Sequence, residues 1–273
     1  MEMARNHSCW YSFRGFCLRR SVNLGALLFL LVAPVTATSI VAIRTNRRIV
    51  ISADSMASVT RNGVLIKHGE APVCKIGLAD SLVYALAGTV GTGRGSIIED
   101  VPAILGKSGS FDEKIHGFEE AIIPRLLGIA KAFRTDDPGN YDSLLRNYIL
   151  EGVFASFVSG SPVLVARMYR LTKRPDGSIF INTSELRCPA ADCPANLGVL
   201  AVALGVHEGI DEAIKNPAPL LSPNLPRSMQ KLVLKEIATR PGEVGPPVST
   251  LIWDQSGLNW YEGKSGACQA NLK

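Results

Sequence analysis

The sequence contains neither a G-x-S-x-G turn nor an H-E-x-x-H helix. The usual signatures of a serine α/β-hydrolase and of a zinc protease are therefore missing. Histidine is scarce, with four in 273 residues. His68, His116 and His207 have no partner at a diagnostic spacing and read as solvated or structural side chains. "GKS" at 106–108 has Val101 where a Walker loop needs its first glycine, and "GTVGTGRGS" has Ser96 in place of the last glycine of G-x-G-x-x-G. No cofactor is expected. Internal repeats and low-complexity tracts are also absent, and the composition, 47% hydrophobic and 19% charged, is that of an ordinary globular chain.

Long apolar runs are limited to one, "VNLGALLFLLVAPVTA", ending at Ala37. Arg5, Arg14, Arg19 and Arg20 precede it, and Val35-Thr36-Ala37 supplies small residues at its exit. A basic stretch, a short apolar stretch and a small-x-small exit make a secretory signal peptide over 1–37. An uncleaved anchor is the alternative, but the run is short of the roughly 20 residues a span needs. Residues 38–273 then form one domain, exported to the periplasm or the medium, with no stable membrane span after processing. The chain has 29 basic and 24 acidic residues, and four of the former and one of the latter lie in 1–37. The remainder is within two charges of neutral, which argues against a nucleic-acid partner.

Four cysteines follow the leader: Cys74, Cys188, Cys193 and Cys268. An even number in an exported chain fits disulfides. Cys188 and Cys193 flank the short loop "CPAADC" and are the first expected pair; Cys74 with Cys268 is the second. Zinc would need a second close pair or histidines at ligand spacing, and neither is present.

"TSIVAIR" and "RIVISAD" are β-branched runs around Thr45-Asn46-Arg47, a hairpin signal. A turn centred on Asn46 would set Thr38 opposite Asp54. "SMASVTRNGVLIKHGEAP" reads as a polar loop. "VCKIGL" and "LVYALAG" read as a second hairpin, with Lys75 interrupting an apolar strand. "SFDEKIHGFEEAIIPRLLGIAKAFR" carries acids at its start, bases at its end and apolar residues at helical spacing, with Pro124 inside. "YDSLLRNYIL" reads as another short helix. Strands return at "GVFASFVSG", "PVLVARMYRLT" and "SIFINTSEL", helices at about 207–215 and 224–239, and a closing hairpin at "PVSTLIW" and "LNWYEG". Strand and helix runs in this order predict an α+β fold of stacked β layers with helices outside.

Thr38, Asp54 and Lys75 are the residues that could carry chemistry. An N-terminal threonine holds a nucleophile and its own base, because a free α-amine titrates at about 7.7–8.0. A lysine beside it would favour the attacking oxyanion and depress the amine's pKa. Asp54 could hold that lysine, and a backbone N–H at Gly88 could stabilise a tetrahedral intermediate.

Taken together, "TSIVAIRTNRRIVISADS", Lys75-Ile76 and Ala87-Gly88-Thr89 resemble proteasome β-type subunits and the related bacterial HslV protease. The likeness is dense over residues 38–92 and returns at "GEVGPPVSTLIWDQSGLNW". The resemblance implies a four-layer αββα sandwich of the N-terminal nucleophile (Ntn) hydrolase class. It implies Thr38 as nucleophile, Lys75 and Asp54 as its supporting pair, and Gly88 as an oxyanion-hole donor. A peptide or other amide is the implied substrate, and a homo-oligomer or ring the implied assembly. The sequence departs from the family at "LGVHEG", where Val206 stands in place of a serine, and near Pro241, where an aspartate is expected. These departures keep two alternatives open: a catalytically inactive binding or assembly module, and a small-molecule amidase.

Overall fold

The computed structural model describes residues 35–36, 38–61, 64–68, 72–89, 91–92, 95–190, 193, 198–217, 220–221, 223–263 and 268. Residues 1–34 and Ala37, most of the expected leader, lie outside the described residues.

The hairpin after Thr38 forms as strands β2 (Ser39–Arg44) and β3 (Arg48–Ala53). Its register differs from the expectation by one residue. Ile40 pairs with Ala53 and Arg44 with Ile49, so the turn is centred on the Asn46–Arg47 bond rather than on Asn46. The Thr45 hydroxyl fixes that choice by accepting hydrogen bonds from Arg47 N and Arg48 N. Ser39, not Thr38, therefore faces Asp54. A one-residue slip matters because it exchanges the two faces of a strand.

Fifteen strands are described. β1 (Val35–Thr36), β6 (Ile76–Ala79), β7 (Leu82–Thr89), β10 (Tyr148–Val158), β11 (Ser161–Lys173) and β12 (Ile179–Cys188) form one sheet, in the order β1-β7-β10-β11-β12 with β6 beside β7. β13 (Leu200–Gly205), β2, β3, β14 (Ser249–Asp254) and β15 (Gly257–Trp260) form the other, in the order β13-β2-β3-β14-β15. Every pairing is antiparallel. The segment expected as a polar loop instead carries a small hairpin, β4 (Ser58–Arg61) and β5 (Val64–His68). Its Asn62-Gly63 dipeptide is a strong hairpin-turn signal between β-branched residues. β8 (Gly91–Thr92) and β9 (Gly95–Ser96) form a second small ladder.

Five helices accompany the sheets among the described residues: α1 (Val101–Leu105), α2 (Phe111–Asp136), α3 (Pro138–Arg146), α4 (Asp211–Lys215) and α5 (Leu225–Thr239). α2 starts where a capping box forms. The Ser110 hydroxyl accepts from Glu113 N, and the Glu113 carboxylate accepts from Ser110 N at 2.7 Å. "YDSLLRNYIL" is helical only to Arg146, after which Tyr148-Ile149-Leu150 enters β10. No helix among the described residues is long and apolar enough to cross a membrane.

Strand alternation sorts the cores. Ile40 and Ala42 of β2 meet Val83, Ala85 and Val153 of the other sheet. Val41 and Ile43, on the opposite face of β2, meet Met229 and Val233 of α5. Phe118 and Ile122 of α2 pack on Leu82, Phe154 and Tyr169 of the six-stranded sheet. The fold is α+β, with both sheets antiparallel.

Both expected disulfides are present, Cys188–Cys193 and Cys74–Cys268. The second spans 194 residues of sequence. In the chain-entropy account such a link is worth about 5 kcal/mol. It also tethers the residue immediately before Lys75.

Candidate active site

Thr38 enters β2 and is 1% exposed. Its carbonyl accepts a 2.7 Å bond from Val206 N, just beyond β13. The residue just before β2 is thus tied to the residue just after β13.

Asp54 closes β3 at the same end of the sheet and is wholly buried. A buried carboxylate needs donors on each lone pair, and Asp54 has them. Oδ1 accepts Ser39 N at 2.9 Å and the Lys75 ammonium at 2.6 Å. Oδ2 accepts Met56 N and Gly245 N, each at 3.1 Å. The Gly245 donor comes from the segment where the family resemblance anticipates an aspartate. Pro241 itself is exposed, so that segment reaches Asp54 through a backbone amide.

Lys75 precedes β6, with its side chain 5% exposed. Burial pulls its ammonium below the usual lysine range, and the Asp54 charge and hydrogen bond oppose that pull. A buried cation is costly to hold, so its place in a cavity wall with Thr38 is a functional signal. Lys67, the other lysine in this region, lies in β5 with its backbone opposite Val59.

Thr38 and Lys75 line one cavity of about 320 Å³. Val73, Leu78, Tyr84, Leu86 and Ile98 make much of its wall, with Glu99 among the lining residues. Burial pushes the Tyr84 hydroxyl up to about 12, so it stays a neutral donor.

Gly88 is not in that wall. It sits in β7, opposite Leu150 on one side and opposite Thr36 of β1 on the other. Val35–Thr36 thus lies antiparallel along Gly88–Thr89. Gly88 has φ +109°, and a Cβ there would lie 2.7 Å from the Ile149 carbonyl oxygen. Gly88→Ala should cost about 1–3 kcal/mol through backbone strain and that clash, visible as an earlier thermal melt. An unchanged melting temperature would mean that β7 has room to shift.

The structure brings Thr38 and Lys75 to one cavity and Lys75 to Asp54, whereas Gly88 lies outside that wall, paired with Thr36 and Leu150. Two features escaped the sequence reading. His207, read as partnerless, pairs through Nδ1 with Asp211. Glu151, a lone acid in the apolar strand "YILEGVFASFV", is 8% exposed and accepts from Gly205 N. The signal was the same one that marked Lys75, a charge interrupting a buried strand.

Comparison with protein-family models finds no match, and no curated protein matches the chain.

Proposed function

We propose that this chain is an exported threonine hydrolase of amide bonds, of the proteasome-like Ntn class, active once Thr38 is its first residue. The observation that carries this reading is the shared cavity: Thr38 and Lys75 line it, and Lys75 is buried against Asp54. In the proposed reaction the Thr38 hydroxyl oxygen attacks the amide carbonyl carbon while the α-amine takes the hydroxyl proton. The Lys75 charge favours the alkoxide that forms. The C–N bond then breaks, the amine returns the proton to the leaving nitrogen, and water hydrolyses the remaining ester. Gly88 N–H is the proposed donor to the oxyanion.

Several features support this reading. Three cores joining helices, two sheets and helices are what a four-layer αββα sandwich requires. In the β1–β7 pairing Gly88–Thr89 accepts an extended backbone, and loss of residues 1–37 would open that strand edge to a substrate. The apolar cavity wall suits one apolar side chain of a peptide. Two disulfides fit the oxidising compartment to which a signal peptide would deliver the chain. The silent-module alternative rests on Val206, which offers Thr38 a backbone N–H but no hydroxyl.

Intact-mass analysis of the exported protein, before and after a β-lactone electrophile, tests the reading. The expected result is a chain starting at Thr38 that gains one adduct on that residue. A different first residue, or no adduct on a free Thr38, would favour the silent module.

A further inference from the structure

Glu151 stands on the β10 face that carries Val153 and Ala155 into the space between the sheets. No Lys or Arg forms an ion pair with it among the described residues. Burying a carboxylate without a cation is expensive, and burial pushes this carboxyl above its usual range, against a hydrogen bond from Gly205 N and the nearby His207. A side chain held there at such a cost is a candidate for a specific task.

Its partner points to that task. Glu151 Oε2 accepts Gly205 N at 2.8 Å, from the last residue of β13 in the opposite sheet. Gly205 pairs with Ser39 and has φ +75°, and a Cβ on it would lie 1.9 Å from the Thr38 carbonyl oxygen. Only glycine permits that approach. The next amide, Val206 N, donates to the same Thr38 oxygen at 2.7 Å. A continuous path therefore runs from the Glu151 carboxylate through one peptide unit to the backbone of the proposed nucleophile. The far end of this segment is held in the same way, with Glu236 Oε2 of α5 accepting Gly209 N at 2.9 Å.

We infer that Glu151 is a positioning residue for Thr38, holding the Gly205–Val206 turn that fixes the nucleophile's carbonyl. The inference rests on the threonine-hydrolase reading for its kinetic consequence but not for its geometry. Val206 stands where the family resemblance anticipates a serine, and Glu151 supplies from another strand the support for that turn. Displacing a reacting group by about 1 Å can cost on the order of 10²-fold in rate.

Three variants test the inference, each in the chain beginning at Thr38. E151Q keeps an acceptor of the same length and should hold kcat within about twofold. E151D keeps the charge but falls short of Gly205 N; E151M removes the acceptor. Both should lower kcat by about 10- to 100-fold, at a KM changed less than about threefold. If E151M does not fold, E151D still decides the matter. A second readout needs no turnover: the Thr38 carbonyl ¹³C resonance in protein labelled at threonine carbonyls and assigned by its loss in T38S. It should move in E151D and stay in place in E151Q. Wild-type kcat and an unmoved resonance in E151D would overturn the inference while leaving the hydrolase reading intact. A resonance that moves in E151D, with no hydrolysis by the wild-type chain, would support the positioning role and remove the hydrolase reading.

Discussion

Thr38→Ala should abolish amide hydrolysis, by at least about 10³-fold in kcat, and should leave the protein folded. The two halves of that expectation come from different atoms. Activity is assigned to the side-chain hydroxyl and the α-amine. Placement in the fold comes from the backbone, because Val206 N binds the Thr38 carbonyl and Asp54 binds the neighbouring Ser39 amide. Alanine keeps all of those backbone contacts. The thermal melt of T38A should therefore lie close to that of the parent chain. Thr38→Ser keeps a hydroxyl and should retain measurable turnover. One extra residue ahead of Thr38 should also abolish the proposed hydrolysis, since it converts the amine into an amide that cannot accept a proton. Turnover of a peptide amide by T38A, compared with T38S under single-turnover conditions, is the measurement. Full activity in T38A would move the chemistry away from this cavity altogether.

The parts of this arrangement legible in the sequence were those set by local rules. Ser110 and Glu113 stand three apart and cap α2, so its start could be read directly. Lys75 broke an apolar strand and could be marked without knowing its partner. The turn at Thr45–Arg48 was legible as a turn but not in its register, because the Thr45 hydroxyl selects among closures that differ by one residue. That single residue decided whether Thr38 or Ser39 faces Asp54. The β4–β5 hairpin is hidden in the sequence by the polar residues around it. Glu151 carries the same local signal as Lys75, but its role does not follow from it. Its partner, Gly205, lies 54 residues away in the opposite sheet, and no local pattern relates the two. Gly245, which completes the shell of Asp54, is 191 residues distant. Function concentrates in such long-range contacts because separate strands must deliver the groups that meet at one end of two sheets.

The Lys75–Asp54 pair should show the second large effect, and here stability and activity part company. Asp54→Asn removes the carboxylate charge that the buried Lys75 ammonium meets at 2.6 Å. It also turns an amide donor toward a shell already filled with donors, the Ser39, Met56 and Gly245 amides and the lysine. Breaking a buried pair in this way costs about 3–5 kcal/mol, a large share of a typical 5–15 kcal/mol domain. At about 2–4 °C per kcal/mol for a chain of this size, the melting temperature should fall by roughly 6–20 °C. Lys75→Met should be milder in stability, because the Asp54 carboxylate keeps its three backbone donors while the thioether fills the lysine stem's space. The double variant removes both charges together and should recover part of what Asp54→Asn loses, so the coupling energy from a double-mutant cycle is favourable. Activity should recover in none of them. Lys75→Met and the double variant lack the cation proposed to stabilise the developing alkoxide, and Asp54→Asn removes the carboxylate that holds it in place; the expected loss is about 10²–10³-fold in kcat. Denaturant unfolding read beside turnover separates the two outcomes. A Lys75→Met variant that kept turnover within a few-fold of the parent would reduce the pair to a structural ion pair, and Thr38 would then need another source of activation.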